Sequence, residues 1–430
     1  MRTKIPKFHC LWGAILAFFL GAGHAEAPNM DGLIITEQQA IGLFYQRNLD
    51  LIAAKYNLDQ AQAERIIAAA IPNPVFGLMV SELNAKMPQD KYSGKLPALS
   101  PQIQQLIETA GKRRLRIESS ELGSQAVEFD LQDTARLLTN AVRRAFYGLL
   151  LAQKTTEVAR DNLDRYREIL RANEIRLKAG DIAETDYVRI EVESLKAQGE
   201  LDNTQTALAQ ARADLLVLLG WPENSLEITA AESWPILSSE STRLGQDALV
   251  YTALEQRPDL KAARVRIQQA EKNLTLARRL AIPDVTVTGY FARDPGNFFM
   301  DTGGIGISLP LPLFYRQEGE IARAGVNMNS AELFVRQTEQ GVRAEVMKAL
   351  AAWKSADAIA RRFEESVVAR IDKLRKAQEY AYRKGAVGLL ELIDAERNYK
   401  AMMLDYYAAL ASRSNAYADL LMALAEEASS

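Results

Sequence analysis

Side chains suited to metal binding or nucleophilic chemistry are confined to one end of this chain. Both histidines, His9 and His24, and the single cysteine, Cys10, fall within residues 1–27 of 430. That stretch reads as a secretory signal. Arg2, Lys4 and Lys7 form a basic start, Leu11 to Leu20 is apolar, and the small residues that follow admit cleavage after Ala25 or Ala27. The apolar run is too short to span a bilayer comfortably. Cys10 precedes the cleavage point, so no lipid is expected on the mature N-terminus. Processing would leave no imidazole and no thiol. That excludes His- or Cys-based zinc sites, Ser-His-Asp and Cys-His catalysis, and disulfides. With no phosphate loop and no nucleophile–base pair, neither an enzyme nor a cofactor is expected, although carboxylate-only chemistry stays open.

Carboxylates are therefore the chemistry that remains. Glu391 and Asp394 stand three apart and share one helix face. Such a pair can attract cations or can simply be solvated. Helices this charged carry many such pairs, which favours solvation on the residues alone. The basic run "GKRR" (Gly111 to Arg114) has a similar ambiguity. Net charge is −3 and falls to about −6 once Arg2, Lys4 and Lys7 leave, which argues against nucleic acid. Contact with anionic head groups, or plain solvation, is the expected role.

The elements that must position these groups repeat. Gln46 to Pro74 resembles Gln256 to Asp284, and both stretches are helical segments that run into Ile-Pro. After each come two strand-like segments, a long helical stretch, a glycine interruption and a returning helix. The expected organisation is a first repeat over 28–220, with a β-hairpin at 73–109, a long helix at 111–178 and a helix at 185–219. A linking segment covers 221–244. The second repeat covers 245–430, with a β-hairpin at 283–312, a long helix at 316–384 and a helix at 389–425.

Heptad spacing marks the helices. Leu138, Val142, Ala145, Leu149, Ala152, Thr156, Ala159, Leu163, Tyr166, Leu170, Asn173 and Leu177 alternate steps of four and three. Val342, Val346, Ala349, Trp353, Ala356, Ala360, Phe363, Val367, Arg370, Leu374, Ala377 and Ala381 do the same. The first long helix spans roughly 100 Å at the standard rise, far more than a globule needs. The two interruptions then read as hairpin tips. Gly180 and Gly385 suit a left-handed helix stop, and Asp181 to Glu184 offers a capping box for the returning helix.

The strands alternate. Ile305, Ile307, Leu309 and Leu311 share one face, as do Val285, Val287 and Phe291, and Phe76, Leu78 and Val80. Segments near ten residues with this alternation suit a barrel wall in a membrane, although a small soluble sheet is the competing reading. Four strands cannot close a barrel, so a membrane role requires several chains.

At this point the chain resembles the TolC-type outer-membrane efflux proteins. The resemblance rests on "IPNPVF", "GKRRLRIE", "KAGDIAETD", "LGWPE", "IPDVTVTGY", "LPLPLFYRQEGEIARA" and "RKGAVGLLELIDAERNY", which occur in that order. It implies a mainly α fold with a small β part, in a homotrimer embedded in outer-membrane lipid. Long coiled-coil helices form an α-barrel across the periplasm, and four strands per chain build a twelve-stranded transmembrane β-barrel. "NPVF", "ETAGKRRLR" and "PLPLFYRQEGEIARA" look most like the heavy-metal branch typified by CzcC. That branch implies export of cations such as Co, Zn, Cd or Ni, with a periplasmic membrane-fusion adaptor and an inner-membrane resistance-nodulation-division pump as partners. The same duct could instead serve organic drugs or type I secretion. A periplasmic coiled-coil scaffold with no pore is the reading from another class.

The resemblance also assigns residues. Thr185, Asp186, Glu391, Asp394 and the aromatic Tyr382 correspond to the closed periplasmic aperture. Gly180, Asp181, Gly385 and Val387 mark the tips where the adaptor docks. Val387 stands where some relatives carry an arginine that ties the gate shut, so the closing bonds are expected to differ. Threefold symmetry would set six carboxylates from Glu391 and Asp394 around the opening.

Overall fold

The computed structural model describes residues 33–81, 98–221, 227–231, 234, 245–294 and 300–426. The expected signal at 1–27, the hairpin loops at 84–97 and 295–299, and most of the 221–244 segment lie outside the described residues. In chain order the elements are β1 (Leu33–Ile35), α1 (Glu37–Arg47), α2 (Leu49–Ala69), β2 (Val75–Ser81), β3 (Ala98–Ile107), α3 (Lys112–Lys178) and α4 (Glu184–Leu218). After them come β4 (Ile228–Ala230), α5 (Gln246–Gln256), α6 (Pro258–Leu280), β5 (Val285–Asp294) and β6 (Met300–Ser308). Last are α7 (Glu318–Arg362), a π-helical turn (Phe363–Val367), α8 (Val368–Arg383) and α9 (Leu389–Leu424).

The two hairpins join into one antiparallel sheet in the order β2-β3-β5-β6. Its register aligns the apolar residues across strands. Phe76 lies opposite Ile103, Ile103 opposite Gly289, and Gly289 opposite Ile305. A neighbouring row runs Gln105, Val287, Ile307. Because strand side chains alternate with period two, one face collects Phe76, Leu78, Leu99, Ile103 and Ile305 while the other collects Ser100, Gln102, Thr288 and Gly306. The apolar face is uncovered: Ile305 is 80 % exposed and Phe76 70 %. Strands β2 and β6 are open edges. The alternation expected through Leu311 stops at Ser308. Pro310 and Pro312 follow and lack the N–H groups a ladder needs.

Both long arms enter from the sheet through left-handed residues, Gly111 (φ 70) and Gln317 (φ 66). In α3 the heptad residues Val142, Leu149, Ala152, Thr156, Ala159, Leu163, Tyr166 and Asn173 are buried, as the periodicity requires. In α7 Val342, Val346, Ala349, Trp353, Ala356 and Ala360 are buried likewise. The second arm then departs from its pattern. It does not run as one α-helix, because the π-helical turn inserts one extra residue per turn. Every downstream side chain is rotated by about 100° relative to the heptad. Leu374, expected in the seam, is 48 % exposed, and its neighbour Arg375 is 5 % exposed in its place.

Two hairpin tips follow. At the first, the N–H of Gly180 donates to the Leu177 carbonyl and that of Asp181 to the Arg176 carbonyl, with Gly180 at φ 78. At the second, Gly385 donates to Tyr382 and Ala386 to Ala381, with Gly385 at φ 70. These are paired Schellman stops, which only glycine enters without strain. The expected Asp181–Glu184 capping box does not form. A box needs the Asp181 N–H for the Glu184 side chain, but that N–H is already committed to Arg176 at 2.8 Å. Ala183 takes the N-cap position with no side-chain bond, and Glu184 and Asp186 meet the helix dipole in the first turn instead.

A short parallel pair, β1 with β4, ties the start of the first repeat to the connection between repeats. It has no sequence signal, since three residues are too few to show a period. Around it Phe44, Phe146, Tyr147, Leu149 and Leu215 form the first arm's core, and Leu249, Val346, Trp353 and Leu420 form the second's.

Candidate functional site: the paired helical tips

The tips of the two hairpins pack together because the start of α9 lies against the first hairpin. Leu389 and Ile393 join Ala159, Leu163, Tyr166, Ile190, Ala197 and Leu201 in one cluster, with Tyr382 against its edge. This places the end of α3, the start of α4, the end of α8 and the start of α9 in one four-helix bundle. Among the described residues no group of three His, Cys, Asp or Glu could hold a metal ion.

Tyr382 is the candidate that the fold uses most fully. Its hydroxyl donates to Asn173 Oδ1 at 2.6 Å and accepts from Arg176 Nη1 at 3.1 Å. The Arg176 guanidinium also lies 5.5 Å from the ring centroid, within cation–π range. Asn173 is fully buried, and its amide nitrogen donates to the Ile169 carbonyl at 2.8 Å. The π-helical turn is what aims Tyr382 this way, because the uncorrected heptad would have put Ala381 in the seam.

Two ion pairs cross between hairpins nearby. Arg397 on α9 donates to both oxygens of Glu193 on α4, at 2.6 and 3.3 Å. Lys196 adds a third bond to Glu193 at 3.0 Å. Further up, Lys400 meets Glu200 at 2.7 and 2.8 Å. Burial pushes the Glu193 carboxyl up, but hydrogen bonds from Arg397 and Lys196 outweigh it and hold the group below the usual range. Burial, reinforced by the Glu193 charge, pushes the nearby Tyr166 hydroxyl up to about 12.

The other candidates are peripheral to this tie. Thr185 and Glu391 are exposed, and Asp186 is half-buried. Asp394 is exposed and lies 3.7 Å from Arg397, which offsets part of its charge. No hydrogen bond or ion pair joins Thr185 or Asp186 to Glu391 or Asp394 among the described residues. Gly180, Asp181 and Gly385 stand exposed at the two stops, with Val387 half-buried beside them.

Sequence reasoning missed Glu193, Arg397, Glu200, Lys400 and Arg176, which are indistinguishable there from dozens of helical surface charges. Asn173 did carry a signal, as an amide at a heptad core position where an apolar residue packs best.

The "Outer membrane efflux protein" family profile matches residues 40–221 and 249–426, which takes in both repeats. The cobalt-zinc-cadmium resistance protein CzcC of Cupriavidus metallidurans is 24 % identical over 376 residues, covering 87 % of this chain and 86 % of that one. The pyoverdine export outer membrane protein OpmQ of Pseudomonas putida is 24 % identical over 387 residues, 84 % of this chain and 79 % of its own. The Campylobacter jejuni CmeC outer membrane channel superposes with a TM-score of 0.77 at 16 % identity, covering 92 % of this chain and 87 % of that one. A sheet greasy on one face and open at both edges, carried on two helical hairpins of channel-like length, accounts for why the match extends over both halves: the chain belongs to the outer membrane efflux protein family.

Proposed function

We propose that three copies of this chain form an exit duct for heavy-metal cations, joined at its tips to a periplasmic adaptor and through it to an inner-membrane pump of the resistance-nodulation-division type. The observation that carries the duct is the sheet. Its apolar face is exposed, and the outer edges of β2 and β6 meet no further strand among the described residues. Open edges are unsatisfied in lipid, so β6 of one copy must meet β2 of the next. Three copies of a four-stranded sheet give twelve strands. The likeness to CzcC supports metal cations as cargo. The likeness to OpmQ supports the second reading, an organic cargo.

In this reading the tips are the inner aperture, and Gly180, Asp181, Gly385 and Val387 face the adaptor. Thr185, Asp186, Glu391 and Asp394 line the opening, and Tyr382 with its Asn173 and Arg176 bonds helps hold it closed. The Glu193–Arg397 pair takes the place of the arginine lock that Val387 lacks. The chain contributes passage and leaves selection to its partners. No histidine or cysteine occurs after His24, so only carboxylates, carbonyls and methionine sulfurs remain as ligands.

Mass determination in detergent with cross-linking tests the assembly, and a stable water-soluble monomer would refute it. Growth of a deletion strain on Co, Zn, Cd and Ni salts and on several drugs tests the cargo. Sensitivity confined to drugs would overturn the metal assignment. Replacing Glu391 by Gln and Asp394 by Asn should lower cation preference in planar bilayers at low salt, while unchanged selectivity in intact trimers would move the aperture elsewhere.

A further inference from the structure

One acid in the tip bundle is left out of the ties between hairpins. Glu396 on α9 is 3 % exposed. No hydrogen bond or ion pair reaches its carboxylate among the described residues. It borders a cavity of about 100 Å³ between α3, α8 and α9, which Ile169, Asn173, Tyr382 and Leu392 also line. The charged groups facing it are Arg165 and Glu168 from α3 and Arg375, Glu379 and Arg383 from α8. Glu379 and Arg383 are paired with each other at 2.5 Å.

Arg375 is the unusual member of that set. It is buried by the rotation that the π-helical turn imposes. Only its Nη2 finds a carboxylate, Asp372 at 3.0 Å, and its guanidinium lies 4.2 Å from the Tyr399 ring centroid. Its Nε and Nη1, and the Oε1 of Gln378 on the same helix, are buried without hydrogen-bond partners among the described residues. An acid and a base thus lie close in one buried seam without closing on each other. An ionised carboxylate in such a place is costly, whereas a protonated one is tolerated.

We infer that Glu396 is a proton-operated latch on the tip: protonated, it seats α9 against α3 and α8; ionised, it drives that seam apart. Burial raises the carboxyl above the usual glutamate range, and the positive charges of Arg375 and Arg165 do not cancel the effect. In an opened tip the carboxyl is solvated and titrates normally. The latch is therefore fully engaged below the ordinary glutamate value and is lost as pH rises through the raised one. Only the consequence for transport rests on the duct reading.

Hydrogen–deuterium exchange on the full assembled protein from pH 4 to 8 tests this, with protection factors corrected for the intrinsic rate. Protection of α8 and the start of α9 should fall with rising pH, by about tenfold for each unit that burial lifts the carboxyl. Residues near Phe146 in α3 should show no such change. Glu396→Gln should hold tip protection high at every pH. Glu396→Leu, which also cannot ionise, covers the case in which the amide fails to seat. Tip protection that is flat with pH in the unmodified protein overturns the latch, as does a fall that persists in both variants. In planar bilayers, open probability should rise over the same pH interval. Exchange that responds to pH in a protein that conducts nothing would overturn the duct and leave the latch standing.

Discussion

The two long arms descend from one repeated pattern, and they do not end in the same structure. The first arm is a single α-helix from Lys112 to Lys178 whose heptad seam stays in phase to the tip. The second keeps phase only to Ala360, then passes through the π-helical turn and presents a different face. That change swaps Leu374 and Ala381 for Arg375 and Tyr382. The regular arm therefore supplies a rigid wall, while the re-phased arm supplies polar groups whose bonds can be made and broken. A shared heptad pattern fixes the length and direction of the two arms, but one inserted residue decides which chemistry each carries inward.

Inserting one alanine after Val368 should have the largest effect, because the π-helical turn absorbs only one extra residue and every side chain beyond the insertion advances by about 100°. Leu374 and Ala381 would then take the seam, Arg375 and Tyr382 would swing out, and the Asn173 bond would be lost. Deleting Glu365 should instead close the turn to plain α-helix with Arg375 still inside. Thiol labelling of Leu374→Cys and Arg375→Cys reads this directly. Position 374 should react faster in the intact arm and after the deletion, and position 375 faster after the insertion. A protected position 374 after the deletion would mean that the turn does not set the phase.

Core substitutions should separate the arms next. Phe146 is fully buried and Phe363 only partly, at the turn itself. Phe146→Ala should cost about 3–5 kcal/mol and Phe363→Ala clearly less, measured by denaturant unfolding. Equal losses would argue that the turn is packed as tightly as the wall.

Tyr382→Phe removes one hydroxyl and strands the buried Asn173 carbonyl, an expected loss of about 1–3 kcal/mol. The shortfall should appear as faster proteolysis at the tips, with the upper core unaffected.

The pH response sharpens the contrast further. Glu193 is held below the usual carboxyl range, so its tie to Arg397 is intact at neutral pH and is lost as pH falls through the lowered value. Glu396 has the opposite sign. Arg397 is half solvated, so Glu193→Gln should cost only about 1 kcal/mol at neutral pH, with the difference from the unmodified protein vanishing in acid. A difference that persists in acid would mean the pair is not the source.

The smallest effect is expected where the arms begin. Gly111 and Gln317 occupy equivalent left-handed positions, and only the second carries a side chain there. Gln317→Gly should stabilise by about 0.5 kcal/mol, since relief of left-handed strain exceeds the added freedom of the unfolded chain. A loss in the melt would show that the Gln side chain does more at that junction than fill it.

Much of this fold was legible in the residues alone. Period-two alternation determined the faces of the sheet, heptad spacing determined the seams of α3 and α7, and Gly180 and Gly385 determined where the arms stop. Each is a local rule with a period or a φ angle behind it. The carboxylates Glu391 and Asp394 were readable as a pair, but nothing local could say what faces them. Tertiary structure alone decided that Asp181 donates to Arg176 and so cannot cap α4, that β1 pairs with β4, and that Glu193 meets Arg397 across two hairpins. Those contacts join residues far apart in sequence, and no period records them. The π-helical turn belongs to the same class. Its five residues, Phe363 to Val367, carry no periodic signal for the longer turn that brings Arg375 and Tyr382 inside.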